Sequence, residues 1–514
     1  MIRWTSALLV LTVACNGGTG SPTQGDPLTR ADLGLTFIDG ADPAPIDAGR
    51  DAGAADTAGI SVRGERFAAE KTRFAVPLGG PSDTGFYRLQ WSPYWVLRDM
   101  NADGKPDLVR AAEFSGSQPK QVFGFGQKPH WKVHFATATG FDPVANAWLV
   151  PELDAPTATG FHRTQDPLAR HTLDDLDGDG RDDLVICSSL ANGSTGEAFG
   201  GTERFWKFYR NTASGFAALP KSWPIPDGGH KELGFYRFRH ALGRWDLIDL
   251  DGDGRKDLVV ASPDAGTDAG IVWGFGIQPH WRLYRNTGSG FATSFTSYAV
   301  PAGGDSNAGY AATSGTTWRL IDLDADGQLD LVSFRPTAAS PVYGYGAAPH
   351  WRVYRGTSSG FSGLPLQWSV PSKVGYTGEG LTTATSSRWR LLDLDGDGRL
   401  DLVVSRNAIS DAEQVFGFGK DPHWQIYPNT GNGFSNAPQS WPVGQLGYSD
   451  RGLNYISAAT WDVFDIDGDG RDDLIFTSPD IDKAPRRVYG IDAKTPHWWV
   501  YLNVPQNAGT NTSP

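Results

Sequence analysis

This chain is poor in the residues that usually build helical or cross-linked proteins. Only two of its 514 residues are cysteine, Cys15 and Cys187, so no disulfide framework holds the fold. Only two are methionine, and long stretches rich in Ala, Leu, Glu and Lys are missing, which argues against helices. The formal net charge is −13, which excludes a general nucleic-acid partner. No apolar run is long enough to cross a bilayer as a helix; the stretch Ala7 to Val13 is far too short. What abounds is 64 glycines, 34 prolines and 12% aromatic residues. Many turns and many aromatics favour short strands. Cys187, inside Leu184-Val185-Ile186-Cys187, reads as a small buried hydrophobe.

The two ends differ from the middle. Arg3, the apolar stretch and Leu11-Thr12-Val13-Ala14-Cys15 form an export segment. It resembles a bacterial lipoprotein signal, with Thr12 where Leu is more usual. The resemblance implies a signal over residues 1–15 and lipidation of Cys15. That would place the protein on the outer membrane or cell surface, touching membrane only through its lipid anchor; an ordinary secretory signal and a secreted product is the alternative. Residues 16–60 are rich in Gly, Ala, Asp, Pro and Thr without period and read as a disordered tether. Residues 506–514 read as a disordered tail. The folded region is therefore expected over residues 61–505.

That region is repetitive, and the repeat decides the fold. The pattern Asp-x-Asp/Asn-x-Asp-Gly-x-x-Asp-Leu begins at Asp99, Asp175, Asp249, Asp322, Asp393 and Asp465, at spacings of 76, 74, 73, 71 and 72 residues. A second segment follows each copy and in full reads Gly-Phe-Gly-x-x-Pro-His-Trp-Arg-x-Tyr-Arg-Asn-Thr. Its tryptophans are Trp131, Trp206, Trp281, Trp351, Trp424 and Trp498. A third segment is Gly-x-Gly-Phe with an aromatic seven residues on, as in Phe291 and Tyr298. It is missing after Trp498, and its counterpart, Phe67 with Phe74, precedes the first Asp loop. The chain thus starts with the last element of a repeat and ends without one. A closed ring has this offset, because the first strand completes the last blade and removes the free edges. Alternation over four to six residues gives four strands per repeat. The expectation is all-β: a β-propeller of six four-stranded blades, or seven if a degenerate one is hidden.

The Asp loops have the chemistry of metal sites. Side chains at positions one, three, five and nine, with a position-seven backbone carbonyl, offer hard oxygen ligands. The candidates are Asp99, Asn101, Asp103, Lys105 and Asp107; Asp175, Asp177, Asp179, Arg181 and Asp183; Asp249, Asp251, Asp253, Arg255 and Asp257; Asp322, Asp324, Asp326, Gln328 and Asp330; Asp393, Asp395, Asp397, Arg399 and Asp401; and Asp465, Asp467, Asp469, Arg471 and Asp473. Four close carboxylates repel one another unless a cation sits among them. Calcium suits the set, about six ions in all. Six would add 12 positive charges and bring −13 to −1. Magnesium prefers a tighter octahedron, and zinc would want Cys or His. The bland alternative is a metal-free Asp turn. Copy one, with Asn101, should bind more weakly. Ala325 at position four should not matter if its side chain points outward.

These residues resemble the FG-GAP and VCBS repeats, best known from the propeller of integrin alpha subunits, over about residues 64 to 503. The resemblance implies calcium in blade loops, commonly seven blades, and roles in adhesion and surface binding. The Pro-His-Trp segment and the repeat length of about 73 residues depart from the integrin pattern. No room remains for a catalytic domain, and the carboxylate spacing is that of metal ligation, so no enzyme is expected. The expected activity is binding by a monomer, to a surface protein or, alternatively, to a glycan through His130-Trp131, His280-Trp281, His350-Trp351, His423-Trp424 and His497-Trp498. In the competing reading those tryptophans simply pack between blades.

Overall fold

A computed structural model describes residues 67–504, apart from residues 69, 81–84, 90–93, 116–117, 153–159, 165, 167–168, 189–196, 213, 230–233, 265, 267, 305–307, 373, 375–379, 407–413, 444–451, 459 and 480–486. The export segment with Cys15, the tether and the tail lie outside the described residues. Among the described residues there is no helix. The strands form six four-stranded antiparallel blades arranged as a β-propeller, five of them in simple sequence order and the sixth closed by the first strand of the chain, which also touches the short Gly140–Phe141 strand in parallel.

Blade one comprises Trp95–Arg98, Asp107–Arg110, His130–His134 and Asn146–Leu149. Blade two is His171–Asp174, Asp183–Ile186, Phe205–Tyr209 and Lys221–Pro224. Blade three is Trp245–Ile248, Asp257–Val260, His280–Tyr284 and Thr296–Ala299. Blade four is Trp318–Ile321, Asp330–Ser333, His350–Tyr354 and Leu366–Ser369. Blade five is Trp389–Leu392, Asp401–Val404, His423–Tyr427 and Gln439–Pro442. Blade six has Trp461–Phe464, Asp473–Phe476 and His497–Tyr501, and takes its outer strand from the start of the chain, Thr72–Ala75, with Phe74 opposite Trp498. The closure inferred from the repeat offset is thus present. A small hairpin, Ala112–Ser115 with Gln118–Val122, is an insertion that the repeat does not signal.

The same aromatic pair recurs in each blade. The third-strand tryptophan lies opposite an outer-strand aromatic: Trp131 with Trp148, Trp206 with Trp223, Trp281 with Tyr298, Trp351 with Trp368, Trp424 with Trp441. Each of these tryptophans also meets a phenylalanine of the following blade edge-on. Trp131 with Phe216, Trp206 with Phe291, Trp281 with Phe361, Trp351 with Phe434 and Trp498 with Phe141 have ring centroids 5.4–5.6 Å apart. Phe67 does the same for Trp424 at 6.1 Å. Edge-to-face pairs add about 0.5–1.5 kcal/mol beyond the area they bury. The repeated Gly-Phe places this ring, and the glycine is obligatory. Gly140 has φ 145°, and a Cβ there would sit 2.4 Å from the Ala75 nitrogen of the preceding blade.

Neighbouring blades are stapled by asparagine. Asn286 donates from its side chain to the Leu176 carbonyl one blade back, at 2.8 Å. Asn211 reaches Met100, Asn429 reaches Leu323 and Asn503 reaches Leu394 in the same way. The staple therefore joins blades one to two, two to three, four to five and five to six. At the other two seams, which face each other across the ring, Gly356 and Ala136 replace the asparagine.

Candidate metal centre

In each blade the Asp loop joins the first two strands, and the turn after the third strand lies at the same end. All six loops therefore sit on one face, and the Pro-His-Trp turns sit on the opposite one.

The loop builds itself around its first aspartate. In blade three, Asp249 accepts the N–H groups of Gly252 and Gly254, both at 2.9 Å. Asp251 accepts from the Asp253 N–H at 3.3 Å, and Asp253 from the Arg255 N–H at 2.9 Å. Position six is glycine in every copy, with φ between 85° and 88°. Position four is also left-handed, including Ala102 at 62° and Ala325 at 60°. This corrects the expectation that Ala325 is immaterial: its backbone pays the strain of a β-carbon in that region.

Position nine sits deepest. Asp107, Asp183, Asp257, Asp330, Asp401 and Asp473 are at most 1% exposed. One oxygen of each takes a backbone N–H from the turn after the third strand, as Asp257 does from Asn286 at 2.7 Å. The second oxygen, Oδ2, of Asp183, Asp257 and Asp401 has no hydrogen-bond partner. Burial, with the neighbouring loop carboxylates adding to it, pushes Asp183 and Asp473 up to about 8. Asp107, Asp257, Asp330 and Asp401 are pushed up to about 7.

Five loops bring three carboxylates within 4.8 Å of one another: Asp175, Asp177 and Asp183; Asp249, Asp251 and Asp253; Asp322, Asp324 and Asp330; Asp393, Asp395 and Asp397; Asp465, Asp467 and Asp473. The first loop, with Asn101, is not among them. Asp99, Asp103 and Asp107 therefore do not converge as the other sets do. All-oxygen donors with unpartnered buried oxygens fit a hard divalent cation. The position-seven side chains Arg181, Arg255, Arg399 and Arg471 turn onto the position-five carboxylates, with Arg181 at 2.7 Å from Asp179 and Arg255 at 2.6 Å from Asp253.

The His-Trp positions come out otherwise. Trp131, Trp281, Trp351, Trp424 and Trp498 are 0% exposed. Each indole N–H donates to a backbone carbonyl leading into the next blade, as Trp281 does to Tyr310 at 2.7 Å. No sugar can stack on them, which corrects the stacking role expected of the tryptophans in the glycan reading. His130, His350, His423 and His497 stack on Phe123, Tyr343, Phe416 and Tyr489, and their Nδ1 atoms contact carbonyls two residues back. His350 also lines a cleft of about 730 Å³ between blades four and five, with Trp389, Arg406 and Phe416. One Gly-x-Ser-x-Gly run exists, Gly356 to Gly360, but it is a turn between strands, without the strand-to-helix elbow a hydrolase nucleophile needs. Cys187 is fully buried, as expected.

Among known proteins, integrin alpha-4 of Xenopus laevis is 32% identical to this chain over 184 residues, which is 35% of the chain and 15% of that protein. The chain therefore corresponds to a small part of that relative's length. A Photorhabdus luminescens Tc holotoxin pore structure matches at 18% identity and TM-score 0.44, over 83% of this chain and 14% of that one. An Agrocybe aegerita lectin, described as recognising non-reducing terminal N-acetylglucosamine, matches at 19% identity and TM-score 0.38, over 75% of this chain and 74% of that one. Residues 249–333, from the third Asp loop to the second strand of blade four, match the model of the FG-GAP-like repeat.

Proposed function

We propose that this chain is an exported, calcium-binding β-propeller that acts as a surface binding or adhesion module for a protein partner and carries out no catalysis. The observation that supports calcium most directly is the set of buried position-nine oxygens without a hydrogen-bond partner, set among other carboxylates. Carboxylates at positions one, three, five and nine would hold the ion. The ion would neutralise the cluster and fix the hairpin tip, a structural role, with affinities on the order of 10⁻⁴ to 10⁻³ M as in extracellular modules.

The binding role is supported by the FG-GAP-like match and by the integrin resemblance, since such repeats are typical of extracellular or surface proteins. The export segment supports display on the outer membrane or cell surface through a lipid on Cys15, or secretion. A monomer needs no second copy to close its sheets, because the ring closes on itself.

The test is a pull-down of cell-surface proteins with the purified protein, with and without calcium, beside a glycan array. Saturable retention of a protein is the expected result. Binding confined to the array would replace the protein partner with a sugar, held elsewhere than on the buried tryptophans.

A further inference from the structure

The six loops share a consensus, but the structure separates them by what faces position three. In blades two, three and four the residue after the third strand is arginine. Arg210 holds Asp177 and Asp179, each at 2.8 Å. Arg285 pairs with Asp251, and Arg355 holds Asp324 at 2.7 Å. In blades one, five and six the same place is Phe135, Pro428 and Leu502, which carry no charge. Among the described residues no basic side chain pairs with Asp395 or Asp467.

The three arginines are 45–46% exposed, whereas their carboxylates Asp177, Asp251 and Asp324 are 15%, 4% and 10% exposed. Each guanidinium thus covers its carboxylate from the solvent side. In loop two, Asp177 Oδ1 accepts the Asp179 N–H while Oδ2 takes Arg210. Both oxygens of position three are occupied by donors. A cation entering there must displace the guanidinium or bind close to its charge. The buried Oδ2 of Asp183, without a partner, lies in the same cluster and leaves it still short of positive charge.

We propose that these arginines are built-in counter-charges that divide the loops into two cation-binding classes. Blades five and six, with converged carboxylates and position three unclasped, form the tight class; their Arg399 and Arg471 hold only position five, as Arg181 and Arg255 do in blades two and three. Blades two, three and four, clasped by Arg210, Arg285 and Arg355, form the weak class. Blade one, with Asn101 and no convergence, belongs to neither. The inference rests on the calcium reading above. A unit positive charge several ångströms from a divalent ion, largely solvated, lowers affinity by roughly tenfold.

The experiment is a calorimetric titration of the chelator-stripped full chain with calcium chloride alone. Two tight sites and a weaker set of up to three are expected. Arg285→Met should move one site from the weak to the tight set, about tenfold tighter, and Arg355→Met should do the same for another. Asp395→Asn should remove a tight site. Melting curves in EDTA establish that each variant is folded. Equivalent sites in the unsubstituted protein, or arginine variants whose sites are unchanged or weaker, would overturn the two classes while leaving calcium binding intact. No binding at millimolar calcium would overturn both.

Discussion

The Tyr298 hydroxyl donates to the Leu250 carbonyl at 3.4 Å, and thereby fills the place of a missing residue. Leu250 occupies position two of its loop, the carbonyl that the next blade's asparagine takes elsewhere. The next blade has Gly356 there, where a Cβ would lie 2.4 Å from the Leu329 oxygen. In blades one, two, four and five the outer aromatic is tryptophan; only blade three has tyrosine, whose hydroxyl can reach Leu250. The Leu250 carbonyl thus takes a phenol of its own blade where the equivalent carbonyls take an amide of the next one.

The two bonds to position-two carbonyls, one between blades and one within a blade, should differ in strength. Asn286→Ala leaves the Leu176 carbonyl without its amide donor and should cost about 1–3 kcal/mol. Tyr298→Phe removes a long bond and should cost about 1 kcal/mol or less. Chemical denaturation of both variants measures this, and a larger loss for Tyr298→Phe would refute the assignment.

Removing the cation should loosen the fold. EDTA should lower the melting temperature by several degrees, and calcium should restore it. An unchanged melting curve, together with no calcium by elemental analysis of the purified protein, would sink the metal reading.

The pH dependence should reverse with calcium. Asp183 and Asp473 titrate at about 8 when folded, against 3.8 as the ordinary value. The folded, ion-free state therefore binds more protons than the unfolded one between those limits. Its stability falls as pH rises from about 4 to 8. In EDTA the melting temperature should be higher at pH 5.5 than at pH 8.5. In excess calcium the order should invert, because protons compete with the ion for the same oxygens. Parallel trends in both buffers would contradict this.

A single methyl group can be tested directly. Ala325 holds φ 60° where four other loops have glycine. Ala325→Gly should stabilise the protein by roughly 0.5–1 kcal/mol, since relief of left-handed strain outweighs the added freedom of the unfolded chain. A destabilised variant would show that the methyl group packs usefully.

The sequence reveals blade number, closure and loop chemistry because these depend on spacing and residue type along the chain. Phe67 and Phe74 are recognisable as displaced parts of the last repeat by that logic alone. The asparagine staples are hidden although Arg-Asn-Thr stands in the consensus: Asn286 and Leu176 are 110 residues apart, and no local pattern encodes that contact. The arginine clasps are hidden for a related reason. Arg285 reaches a carboxylate 34 residues earlier by its position at the end of a strand, which periodicity does not give. The tryptophans are ambiguous in sequence because an aromatic opening an alternating strand can face either a cleft or a neighbouring blade. The constraint at position four is hidden because it lies in the handedness of the backbone, not in the direction of a side chain.

The strand that completes blade six has a temporal consequence. Thr72 pairs with Val500 and Ala75 with His497, so two nearly opposite ends of the sequence share one hydrogen-bonded ladder. During synthesis the early segment must wait for this partner until residues 497–500 have emerged. Until then Trp498 has no Phe74 opposite it. The ring therefore closes only once the Thr72–Ala75 strand meets the His497–Tyr501 strand, and so long-range a pairing is intrinsically slow. Any partner or surface that needs a finished ring can meet it only after these two distant strands have joined.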